Sequence, residues 1–99
     1  MHNSTTQTND GVFKALADEQ RRRILQLLRH GEQPAGVLAA SLSVKPATVS
    51  HHLAQLRAAG LVRVRREGQQ RIYALNTSMV EEVLLLISNL FHAERKEES

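Results

Sequence analysis

Apolar residues return along this chain at intervals of three and four, lapse once into strict alternation, and then return to three and four. Residues 1–10 are rich in Ser, Thr, Asn and Gln with no apolar period, which predicts a disordered N-terminal arm. Val12, Phe13, Ala15 and Leu16 make a short apolar helix that packs on the body or on a partner chain. Asp18 reads as the N-cap of EQRRRILQLLRH, with Glu19 in its first turn and Gly31 as the stop. Ile24, Leu25, Leu27 and Leu28 give that helix a wide buried face, and His30 is placed to cap its C-terminus. Pro34 opens a third helix with Val37, Leu38 and Leu42 inward, and its alanines let a neighbour approach closely. The period breaks over residues 41–44. A fourth helix then starts at Pro46, whose missing N–H costs nothing in a first turn, and stops at Gly60. Val49, Leu53 and Leu56 form its single apolar stripe.

After Gly60 the period becomes two. Leu61-Val62-Arg63-Val64-Arg65-Arg66 alternates as a half-buried strand does, residues 67–70 form a turn with one glycine, and Arg71-Ile72-Tyr73-Ala74-Leu75 returns. A two-stranded ribbon is not stable alone, so it leans on the helices. Asn76 or Thr77 then caps a last helix from Ser78 to about residue 95. The prediction is a mainly α domain with a small two-stranded β-wing over residues 11–95, between the arm at 1–10 and a disordered tail at 96–99.

Two short helices joined by a three- to four-residue turn, the second polar on its open face, are the layout of a helix-turn-helix. The turn lacks the glycine often found there. The open face of the second helix carries Lys45, Thr48, Ser50, His51 and Gln55, with no acid among them. A solvated face usually mixes charge signs. A polyanion with readable base edges selects hydrogen-bonding groups and excludes acids. Arg65, Arg66, Gln69, Gln70 and Arg71 lie at the hairpin end. Such an end is either a charged edge that discourages aggregation or, directly after a recognition helix, a wing that grips phosphate or reaches the minor groove.

Charge sharpens this. The net charge is only +3, but residues 11–75 carry eleven Lys/Arg against four acids, and residues 76–99 carry two against five. The basic body faces phosphate and the acidic end stays away from it. The chain has 99 residues, enough for one domain with a small aliphatic core, since Phe13, Tyr73 and Phe91 are its only aromatics. Without cysteine there is neither a disulfide framework nor a thiolate metal site, which suits the cytoplasm. The longest apolar run, residues 83–87, is too short to span a bilayer, and no signal peptide is visible.

The last helix has more apolar surface than one small domain hides. Val80, Val83, Ile87 and Leu90 follow the three-four spacing, and Met79, Leu84, Leu85, Leu86 and Phe91 widen the stripe. An identical helix from a second subunit is the expected cover, in a two-fold contact. Arg21–Arg23 reads either as a solvated run paired with Asp18 and Glu19 or as a phosphate contact. His51 and His52 point about 100° apart on a helix and do not share a metal. His92 beside Glu94 offers too few ligands for a closed zinc site.

With these stretches in view, FKALADEQRRRILQLL, LSVKPATVSHHLAQLRAAGLVRVRREGQQRIYAL and the apolar helix after them resemble the ArsR/SmtB family of winged-helix repressors over roughly residues 11–92. Its Cys-free autorepressor members are the nearest in pattern. The resemblance implies a dimeric repressor that puts the fourth helix in the major groove and dimerises through its first and last helices. Carried over by position, the base-facing residues are Ala47, Thr48, Ser50 and His51. The implied seam is Val12, Phe13, Met79, Val80, Val83, Leu84, Leu86, Ile87, Leu90 and Phe91. Glu19 stands where relatives often have proline. Many members sense metal through cysteines or through ligand pairs on the last helix. This chain offers Asn76, Thr77 and Ser78 there, so no metal or other cofactor is expected.

The expectation is a homodimeric, sequence-specific repressor of double-stranded operator DNA, with no membrane partner and an unidentified effector. The rival is a winged helix used for protein–protein contact, which an acidic open face would have favoured. Catalysis is not expected, because exposed Ser and His on one helix without an orienting carboxylate form no catalytic constellation.

Overall fold

Asp18 has extended backbone, and its Oδ1 accepts the Arg21 N–H at 3.1 Å, so a helix begins at Glu19 as the capping pattern predicts. That hydrogen bond holds the Asp18 carboxyl below the usual aspartate range. The computed structural model describes residues 3–92. Its elements are α1 (Asn3–Leu16), α2 (Glu19–Leu28), β1 (Gln33–Pro34), α3 (Ala35–Leu42), α4 (Pro46–Ala58), β2 (Val62–Glu67), β3 (Gln70–Leu75) and α5 (Thr77–Phe91). Ile24 of α2, Leu38 of α3 and Val49, Leu53 and Leu56 of α4 are all but fully buried and form the centre of the core. The stripe read on the fourth helix is therefore the one that packs.

Several expectations are corrected. The arm expected over residues 1–10 is helical from Asn3 onward. The packed turn at Val12 and Ala15 supplies a nucleus, and extending an existing helix through polar residues is far easier than starting one. The sheet has three strands in the order β1-β3-β2, because the two residues Gln33 and Pro34 pair with Tyr73 and Ile72. Pro34 accordingly caps α3 rather than opening it. Val37 of α3 faces outward at 46% exposure, and Ala39 takes the inward place beside Leu38. The C-cap of α2 falls on Arg29, not His30. The expected tail at 96–99, and the expected last turn of the final helix to 95, lie outside the described residues.

Both ends of the helix-turn-helix close tightly. Ser43 takes the left-handed conformation (φ 57°) at the end of α3, the position where a glycine is usual. At the end of α4, Gly60 has φ 82°, its N–H donates to Arg57 O (2.9 Å) and the Leu61 N–H to Leu56 O (3.0 Å). This is a Schellman closure, with apolar Leu56 and Leu61 at its two ends. A Cβ on Gly60 would also lie 2.9 Å from Met79 Cε. Asn76 then serves both sides of this corner: Oδ1 accepts from the Met79 N–H (3.4 Å) to cap α5, and Nδ2 donates to Gly60 O (2.9 Å). The cap left open between Asn76 and Thr77 is Asn76.

Candidate nucleic-acid interface

Each residue of an α-helix turns roughly 100° from the last, so burial on one side of α4 fixes what faces out on the other. Val49, His52, Leu53 and Leu56 are buried. The open side carries Ala47, Ser50, His51, Ala54 and Arg57, all exposed, while Thr48 is half-buried at its border. No acid occurs anywhere in α4, and the N-cap residue Lys45 is exposed. Ala54 and Arg57 are additions to the residues read from the sequence. Arg57 follows Ser50 by seven positions, close to two full turns, and that spacing was the available signal.

Gln55 is exposed as well, but its amide oxygen has a partner within the subunit. Its Oε1 accepts a hydrogen bond from Arg21 of α2. Arg21 is itself tied to the end of α1, through Nε to Ala15 O (2.7 Å) and Nη2 to Lys14 O (3.0 Å), and Arg22 reaches Leu16 O (2.8 Å). Arg21 and Arg22 thus serve carbonyls in the last turn of α1 rather than pairing with Asp18 and Glu19. His51 and His52 diverge, with ring centroids 6.1 Å apart and tilted 50°. His51 is exposed and His52 is buried.

The hairpin places its arginines unequally. Gly68, at φ 65°, takes the first position of the two-residue turn, where a left-handed residue is needed. Arg66 stands directly opposite Arg71 in the β2–β3 ladder. Like charges in register destabilise a hairpin, and neither has an acidic partner among the described residues. Arg65 differs: Glu32, just before β1, meets it at 2.7 Å, and Glu67 lies 3.4 Å from it. The Arg65 hydrogen bond holds the Glu32 carboxyl below the usual glutamate range, and the same contact raises Arg65. Both groups are exposed, so the pair chiefly orients the two side chains. Arg57, Arg65, Arg66 and Arg71 together line a cleft of about 250 Å³ between the end of α4 and the wing. Gln69 lies exposed at the tip.

The residues read as a seam divide. Val12 and Val83, at 1% and 8% exposure, belong to the subunit's own core. Met79 and Ile87 are partly buried against that core, and Val80 and Leu86 are intermediate. Phe13, Leu84, Leu90 and Phe91 are exposed, as is Leu85, which the seam omitted. An open apolar cleft of about 240 Å³, including Leu25, Leu75, Val80 and Leu84, adjoins this face. Among the described residues, no three His, Asp or Glu side chains gather as a metal site, and no helix is long and apolar enough to cross a membrane.

A helix-turn-helix whose second helix is open, followed by a hairpin against its C-terminal end, defines a winged helix-turn-helix protein. Residues 16–65 match a helix-turn-helix domain family. The chain is 35% identical over 83 residues to the transcriptional repressor SdpR of Bacillus subtilis, covering 84% of this chain and 92% of SdpR. The structure of HlyU from Vibrio cholerae superposes with a TM-score of 0.72 at 33% identity, over 92% of this chain and 98% of HlyU. A homodimeric winged helix-turn-helix DNA-binding domain of a possible ArsR-family regulator from Mycobacterium bovis gives 0.73 at 27% identity, over 94% and 92%. The chain belongs to the ArsR/SmtB-type winged helix-turn-helix transcription regulators.

Proposed function

We propose that the chain is a homodimeric repressor that reads a specific operator in the cytoplasm, with α4 in the major groove and the β2–β3 wing on the phosphate backbone. The observation that carries this is the acid-free open face of α4 beside the four-arginine cleft. Ser50 and His51, with Lys45, Ala47 and the bordering Thr48, occupy the end of the helix that enters a groove. Arg66, Arg71 and Arg57 supply charge for phosphates, while Arg65, already matched by Glu32, contributes less. Gln69 at the tip is placed to follow the backbone toward the minor groove. The similarity to SdpR, a named repressor, supports repression. The M. bovis domain is a homodimer, and the exposed Leu84, Leu90 and Phe91 here support the same assembly.

Filter binding at graded salt tests the reading. Cognate affinity should exceed random-duplex affinity by about 10³-fold or more, and both should fall linearly on logarithmic axes as salt rises. Equal affinity for the two duplexes at every salt concentration would contradict sequence-specific recognition.

A further inference from the structure

His52 is the one buried polar or charged side chain among the described residues, and both its ring nitrogens are engaged. Nδ1 lies 3.4 Å from Arg21 Nη1, and Nε2 lies 2.9 Å from Gln20 Oε1. A guanidinium has only donors, so Nδ1 must accept; an amide oxygen has only lone pairs, so Nε2 must donate. These contacts fit the tautomer with the proton on Nε2. The same Arg21 Nη1 also donates to Gln55 Oε1, one turn along α4 from His51. Its remaining nitrogens hold the Lys14 and Ala15 carbonyls of α1. One guanidinium thus binds the last turn of α1 to two successive turns of α4.

We propose that Arg21, His52 and Gln55 form a clamp that sets the pitch of α4 against the α1–α2 corner. Gln55 and Arg21 are then positioning residues for DNA recognition, not contacts to base or phosphate. This rests on the DNA-reading role of α4 proposed above. Gln55 lies about 10 Å along the helix axis from Thr48, away from the end that enters the groove, and its oxygen is already occupied. With the clamp released, Lys45, Ser50 and His51 keep their chemistry but lose their common orientation, so every base contact weakens together.

Gln55→Glu separates the two roles. A carboxylate still accepts from Arg21, so cognate affinity should stay within about threefold of the parent; on a DNA-facing residue the new negative charge would repel phosphate and cost affinity on all sequences. Gln55→Ala should lower cognate affinity about tenfold, the loss of one charge-assisted hydrogen bond. A scan of single base-pair changes in the operator should show that loss spread evenly, with random-duplex affinity unchanged. Loss of discrimination at one base pair, together with failure of Gln55→Glu, would overturn the clamp.

A DNA-free measurement keeps the clamp separate from the DNA reading. Hydrogen exchange of α4 amides in the full chain should quicken in Gln55→Ala and further in Arg21→Lys, which also loses the Ala15, Lys14 and His52 contacts, and the double variant should exchange no faster than Arg21→Lys. Unchanged exchange in all three would overturn the clamp. If the parent protein shows no cognate preference, the DNA reading fails while exchange still decides the clamp. Nitrogen NMR should find the His52 proton on Nε2; a proton on Nδ1 would contradict the geometry.

Discussion

Two helices of this molecule present open faces of opposite chemistry. On α4, Ala47, Ser50, His51, Ala54 and Arg57 are small, polar or basic, and the helix buries a single clean stripe. On α5, Leu84, Leu85, Leu90 and Phe91 remain between 61% and 78% exposed, although Val83 packs into the core. Water tolerates the first face indefinitely. The second costs about 25 cal/mol for each Å² left in water, which is a drive toward association. The contrast teaches that one chain divides its work by face: α4 is finished as a fold element and open to a hydrophilic partner, whereas α5 is completed by an apolar one.

The largest expected effect comes from breaking the α5 side. Leu84→Glu or Leu90→Glu removes an exposed apolar side chain worth about 1.5–3 kcal/mol in each copy, and places a charge in the seam. Sedimentation should find monomers, with helical circular dichroism retained and operator shifts lost. These positions are cleaner than Ile87, which is partly buried against the subunit's own core.

Removing the wing's charge comes next. Arg66→Ala with Arg71→Ala should flatten the salt dependence by roughly two units and weaken cognate and random duplexes together. Because the two arginines repel across the ladder, the same variant should melt no lower than the parent. Arg65→Ala should flatten the slope less than Arg66→Ala does, since Glu32 already offsets its charge. His51→Ala sharpens the other half of the comparison. It should cost about 1–3 kcal/mol on the operator and little on random duplex.

The smallest effect concerns the Glu32–Arg65 tether. The Glu32 carboxyl is held below the usual range by the Arg65 hydrogen bond, a depressed case. Its contribution is therefore present above the unfolded glutamate range and is lost as pH falls through the lowered folded value. Amide exchange in β2 and β3 should quicken slightly on acidification, and Glu32→Gln at neutral pH should reproduce most of that change.

The two helices also differ in how much their sequences disclosed. Val49, Leu53 and Leu56 make a narrow stripe, so periodicity alone assigned the inner and outer sides of α4, and Gly60 closed it where expected. On α5 the apolar arc is wide, from Leu86 and Met79 round to Phe91 and Leu84, and periodicity cannot divide one arc between a core and a partner. Val83, read as seam, is buried in the subunit's own core, while Leu85 stands exposed among the polar residues of the opposite side. Contacts between distant segments left no local mark. Arg21 lies 34 positions before the Gln55 it holds, and β1 is only two residues long, so neither a charge run nor a strand pattern announced them. The same holds for Ser43, which takes the left-handed backbone at the end of α3 although serine has no preference for it.

Selection of tight binders from a pool of random DNA duplexes, using the full chain, tests the central claim most directly. A two-fold dimer reading bases through α4 should enrich an inverted repeat with half-sites centred about 10–10.5 base pairs apart, or a multiple of that spacing. A pool that binds the protein yet remains random in sequence through successive rounds would contradict it.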